Sequence, residues 1–118
     1  MADRYEDERG VIQDLFGAVD GITKITTKAG AVRGNHVHPD TTQWTYIVRG
    51  RMLFRWVEAD GVITDEIHGT DELIEEPAGC PHAWQAIEDS TVLVITRGPR
   101  SGEGFEAGTR RLEVPILL

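Results

Sequence analysis

The 118-residue chain carries 20 acidic and 12 basic side chains, a formal net charge of −8. Such a surface repels phosphate backbones and anionic lipid, which sets aside nucleic acid and membranes as expected partners. Its 40% apolar content suffices for one compact core and argues against disorder, and the length fits a single domain over 1–118.

The opening segment, 1–16, begins MADRYEDERG, charged from its third residue and without the apolar stretch of a signal region. No run approaches the roughly 20 apolar residues of a membrane span. The single cysteine, Cys80, has no partner in the chain for a disulfide. Together these features predict a cytoplasmic protein.

Thirteen glycines and five prolines cut the remainder into short pieces that alternate at the strand period. Trp44 to Val48 is aromatic and β-branched, and Arg49-Gly50 reads as the turn of a tight hairpin into the next strand. In that next strand Met52, Phe54 and Trp56 form an apolar row, while Arg51, Leu53 and Arg55 face the other way. Asp60-Gly61 marks a second turn, followed by a strand from Val62 to about Ile67. Pro77, Gly79 and Pro81 break the chain again, and Thr91 to Thr96 is the near-continuous apolar run of a core strand. Gly98 to Gly108 reads as a Gly-rich loop. The apolar tail 112–118, LEVPILL, is either a last strand or an arm that packs on the domain or crosses to a second subunit, as in a homodimer. Many short strands with little helical signal predict an all-β fold, a sandwich or small β-barrel.

Histidine placement carries the chemistry. Of four histidines, His36 and His38 sit two apart, so on a strand they share a face about 6.5–7 Å apart and can converge on one ion. Gln43 opens the strand after Pro39-Asp40, and His82 follows a Pro-x-Gly turn from which it can close the site. Three imidazoles and a side-chain oxygen suit one divalent transition metal ion, be it zinc, nickel, manganese or iron, with positions left for water or substrate. A His-x-His pair taken alone is equally an ordinary pair of surface or core histidines. His68 falls at a polar position of its strand and reads as solvent-exposed, and Cys80 as a small buried thiol beside the pocket. The aromatic residues read mostly as core, with Trp84 and Tyr46 also able to wall a ligand site. Tyr46 is a candidate acid opposite His36, and Arg55 is a candidate anion anchor if its face lines the interior.

The stretch from Gly30 to Gly50, GAVRGNHVHPDTTQWTYIVRG, resembles the first motif of the cupins. Gly30, His36, His38 and Gly50 fall at its spacings, and Gln43 stands where that family usually has glutamate. Within 71–86, Pro77, Gly79 and His82 are similar to the second motif, whose opening glycine and closing asparagine are here Asp71 and Ala86. The resemblance implies a jelly-roll barrel with the metal in its mouth, held by His36, His38, Gln43 and His82. A neutral amide at 43 cannot accept a proton at neutral pH, which turns the expectation from oxygen-activating iron toward a Lewis-acid role. Either Gln43 ligates, or the ion has three ligands, or the histidines of an empty barrel do acid–base work.

Asp7 to Phe16, DERGVIQDLF, with Arg33-Gly34-Asn35-His36, is similar to segments of the sugar-nucleotide epimerases and ketoisomerases among the cupins. The dTDP-4-dehydrorhamnose 3,5-epimerase family has such D-x-R-G and R-G-x-H segments. By that resemblance His36 is a general base, and Arg9 and Arg33 hold a nucleotide diphosphate. That family works without a metal and lacks the second histidine of His-x-His, and DERG alone is also an ordinary charged turn. The expectation is therefore a metal-binding cupin that isomerises or epimerises a nucleotide-linked keto sugar through enolisation. A metal-dependent dioxygenase of a small organic molecule and a non-catalytic ligand-binding module are the alternatives.

Overall fold

The computed structural model describes residues 4–98 and 109–118. The expected Gly-rich loop lies for the most part in residues 99–108, outside them. The strands are β1 (Arg4–Asp7), β2 (Gly10–Gln13), β3 (Gly21–Thr27), β4 (Val32–Val37), β5 (Thr42–Arg49), β6 (Arg51–Val57), β7 (Ile63–Gly69), β8 (Leu73–Glu76), β9 (His82–Ala86), β10 (Ser90–Arg97) and β11 (Arg110–Arg111). No helix occurs among the described residues, and so none is long and apolar enough to cross a membrane.

The strands pair in two main sheets, ordered β3-β10-β5-β8 and β11-β4-β9-β6-β7, with β1 and β2 a separate hairpin. Every pair is antiparallel. The fold is all-β as expected, but its hydrogen-bond ladders form two facing sheets and do not close into one barrel. The core lies between them, built from Ile47, Met52, Phe54, Ile74, Trp84, Ala86, Val92 and Val94. Period-two alternation explains the choice: Met52 and Phe54 on β6 and Val92 and Val94 on β10 all turn inward. Trp44, on the opposite face of β5, is covered instead by Phe16, ring centroids 5.1 Å apart, and by the Arg97 guanidinium.

One expected turn is corrected. Arg49-Gly50 does not make a hairpin, because β5 and β6 belong to different sheets. The chain turns a corner there and crosses the core. Gly50 has φ +121° and lies so close to Ser90 that an added Cβ would meet its Oγ at 2.1 Å and its Cα at 2.7 Å. The sequence places a turn residue at this point but not the sheet change. Asp60-Gly61 does form the β6–β7 hairpin, with Glu58 N–H donating to the Val62 carbonyl at 2.8 Å.

The tail is also more specific than expected. Residues 112–118 are not a strand; they fold back on the chain's own second sheet. Asn35 Oδ1 accepts the Ile116 and Leu117 amides at 2.8 and 3.1 Å, and its Nδ2 donates to the Leu117 carbonyl at 2.8 Å. Leu117 is buried as a result. At the other end, DERG forms the turn between β1 and β2, with Asp7 gripping the Arg9 amide and guanidinium.

Replacing Gly50 with alanine should destabilise the domain by about 3 kcal/mol, the sum of a disfavoured φ and a steric clash. Urea unfolding measures this. Adding Ser90→Ala should give little relief, because the Ser90 backbone is itself in the way.

Candidate metal centre and cavity

β4 and β9 bring the histidines together through a break in regularity. Gly34 pairs with Ala83 and His36 with His82, leaving Asn35 as an extra residue in β4. This is a β-bulge, and Gly34 and Asn35 take φ of +90° and +56° to make it. A Cβ on Gly34 would come within 3.0 Å of the His82 carbonyl oxygen, so a side chain there would push the two strands apart. The bulge sets His36 directly across from His82, and their Nε2 atoms are 3.1 Å apart. His38 follows just beyond β4, its ring 4.4 Å from that of His36 and 5.6 Å from that of His82. One ring nitrogen from each of the three lies within 4.8 Å of the others.

The hydrogen bonds around these rings fit a cation. His82 Nδ1 donates to the Cys80 carbonyl at 3.0 Å, since a carbonyl only accepts. In the neutral ring Nε2 is then a lone-pair donor, the arrangement that orients a metal-binding histidine. That Nε2 faces both His36 Nε2 at 3.1 Å and a Glu76 carboxylate oxygen at 3.3 Å. Such a convergence of electron pairs is relieved by a proton or a metal ion. Two nitrogens bound to one ion at about 2.0–2.1 Å stand roughly 2.9–3.4 Å apart at octahedral or tetrahedral angles, and the 3.1 Å between His36 and His82 falls in that range. The Thr109 hydroxyl lies 3.1 Å from His38 Nδ1 and steadies the third ring.

Gln43 reaches the same region from β5 and is buried, but its Nε2 donates to Glu76 at 2.8 Å. Glu76 was not picked out from the sequence. It lies on β8 directly across from Gln43, is buried, and also accepts the Thr45 hydroxyl at 2.5 Å. Burial raises its pKa, against the lowering influence of His82, Thr45 and Gln43. The available signal was a glutamate beside the Pro-x-Gly turn; its strand pairing could not be read.

A cavity of about 500 Å³ opens above the cluster, lined by His36, His38 and Gln43 together with Arg33, Trp84 and Arg111. Its size falls within the range of metabolite sites. Trp84 is stacked on Phe54 at 5.8 Å and forms a firm wall. Arg33 is steadied by Thr27 Oγ1 at 3.0 Å and the Thr26 carbonyl. Arg111, unforeseen from the sequence, enters through β11, which pairs with β4.

Three expected site residues lie elsewhere. Tyr46 alternates with Gln43 and Thr45 along β5, and its hydroxyl donates to Asp71 rather than facing His36. Arg55 is opposite in facing to Met52 and Phe54; it grips Asp65 at 2.6 and 2.8 Å and the Ile116 carbonyl at 2.8 Å. Arg9 sits in the β1–β2 turn against Asp7, and the cavity lining does not include it. His68 is not a cluster member either. It bridges Glu72 and Glu66 at 2.6 and 2.8 Å. Cys80 borders a smaller cavity of about 100 Å³ on the far side of His82, and burial followed by Glu58 and Glu76 pushes its thiol pKa up.

Comparison with known proteins agrees with this geometry. The family profile described as Cupin domain matches residues 23–96, well over half the chain. No curated protein sequence matches the chain. Among solved structures, the capsular polysaccharide assembling protein CapF from Staphylococcus aureus is 19% identical with a TM-score of 0.69, covering 97% of this chain and 35% of that one. The dTDP-4-dehydrorhamnose 3,5-epimerase from Sulfolobus tokodaii is 20% identical with a TM-score of 0.69, over 92% of this chain and 72% of that one. Oxalate decarboxylase from Bacillus subtilis is 29% identical with a TM-score of 0.65, over 77% of this chain and 23% of that one. The first two likenesses show a shared fold, and the chain spans only about a third of CapF.

His68 yields a pH prediction. Burial opposes its charge, but Glu72 and Glu66 outweigh burial and raise its pKa, while His68 lowers that of Glu72. The raised His68 value means the stabilisation is fully present below its unfolded pKa, about 6.5, and fades as pH rises through the folded value. Denaturant midpoints of the wild type and His68→Gln should therefore differ most near pH 6 and converge toward pH 9. A difference that grows with pH would contradict the assigned sign.

Proposed function

The chain belongs to the cupin family, and we propose that it holds one divalent transition metal ion on His36, His38 and His82, with Gln43 as fourth ligand, beneath a small-molecule cavity. The three-histidine group, in which His82 Nε2 stands 3.1 Å from His36 Nε2 and 3.3 Å from a Glu76 carboxylate oxygen, carries this reading. We propose further that the ligand is a keto sugar, with nucleotide linkage the leading form, and that the reaction is isomerisation or epimerisation through enolisation. When bound, the metal would act as a Lewis acid on a substrate carbonyl.

The residues support specific tasks. Arg33 and Arg111 offer guanidinium donors in the cavity lining, suited to phosphate or carboxylate groups. Trp84 presents an apolar wall to a sugar ring. Among the described lining residues, His36 and His38 are the imidazole bases. If the protein proves metal-free, proton abstraction is therefore assigned to His36. The fold shared with the Sulfolobus epimerase supports the isomerase reading by analogy. A second reading, metal-dependent chemistry on a small organic acid, is favoured by the three-histidine cluster and the likeness to oxalate decarboxylase.

Elemental analysis of protein purified without chelators should find about one transition metal per chain. His38→Ala should lower that content at least as much as Gln43→Ala, and full occupancy in the His38 variant would remove this ligand set. Solvent deuterium should wash into a keto-sugar nucleotide from a panel. No exchange across the panel would reject the isomerase reading, and oxygen consumption or decarboxylation of small acids would support the second one.

A further inference from the structure

The site has a carboxylate, but one strand away from the position where a ligand would be expected. Gln43 and Glu76 are cross-strand partners on β5 and β8, both buried and both turned toward the same interior. Gln43 Nε2 donates to Glu76 Oε2 at 2.8 Å, and the Thr45 hydroxyl donates to Oε1 at 2.5 Å. Oε2 is also 3.3 Å from His82 Nε2. Glu76 is nevertheless not a member of the three-histidine group.

An amide has two chemically different ends of nearly equal shape. Gln43 spends its NH₂ on Glu76 Oε2, and that contact turns its Oε1 away from the carboxyl group. Only the oxygen end is useful to a cation. Thr45 fills the second carboxylate oxygen and holds Glu76 in this pose. We infer that Glu76 is a positioning residue that fixes the Gln43 amide with its oxygen toward the metal centre, the two residues together replacing a single ligating carboxylate. This rests on the metal-centre reading above. It goes beyond that reading by making Gln43 a competent ligand only in the presence of Glu76.

Glu76→Gln keeps the shape but removes the carboxyl partner, freeing the Gln43 amide to rotate. The probe is Co²⁺ alone, added to chelator-treated full-length protein and followed by competition with a chromophoric chelator and by visible absorption. Loss of a residue that orients a ligand typically weakens metal binding about 10–100-fold, and that loss with a changed Co²⁺ spectrum is expected here. In Gln43→Glu/Glu76→Gln the carboxylate is moved back across the strand pair, and affinity should recover to within a few-fold of wild type. Circular dichroism and thermal melting report whether each variant is folded. If Glu76→Gln does not fold, Glu76→Asp withdraws the acceptor by one methylene and should show the same loss. Unchanged Co²⁺ affinity and spectrum in Glu76→Gln would overturn the inference. So would a loss that the double variant does not restore, which would place the role of Glu76 apart from Gln43. Failure of the wild type to bind Co²⁺ would instead overturn the metal-centre reading itself.

Discussion

One extra residue in a strand governs the geometry of the site. Asn35 interrupts the β4–β9 ladder, and the interruption sets His36 opposite His82. A non-glycine residue at positive φ costs of order 1 kcal/mol, and asparagine is among the few side chains that tolerate it. Here the side chain also offsets the cost. Its amide accepts two hydrogen bonds and donates one, clamping the tail at Ile116 and Leu117, each worth about 1 kcal/mol net. The same residue therefore sets the register of two histidines and fastens the end of the chain.

The space between the sheets is divided by polarity. Toward one end Ile47, Met52, Ile74 and Val92 pack in the apolar cluster. Toward the other, Glu76, Gln43 and Thr96 stand in a row across β8, β5 and β10, all buried. Buried polar groups are costly without partners, and most here are satisfied. The Thr96 hydroxyl has no partner among the described residues. The core thus gives up apolar packing at the end where the histidines meet. This is the pattern of a fold that accepts a stability cost to hold chemistry inside.

Local spacing made much of this legible. The resemblance to the cupin motifs grouped His36, His38 and His82, and the three meet. That Met52 and Phe54 share one face followed from alternation alone. Alternation failed where the question was which surface lies inside. Arg55 was correctly opposed to Met52, yet that other face turned out to be the outside of the sheet, where Asp65 awaits it. Tyr46 was separated from the cavity by the same one-residue parity. Strand pairing was invisible, and with it Glu76 beside Gln43 and Arg111 beside β4. Gly50 signalled a turn, but the choice between hairpin and corner depended on Ser90, forty residues later in the chain.

The segment after β10 has a consequence for truncation. Thr109 meets His38, Arg111 lines the cavity, and Ile116 and Leu117 complete the clamp on Asn35. Removing residues 109–118 would therefore take away the group beside the His38 ring, one wall of the cavity and the clamp on the β-bulge in a single step.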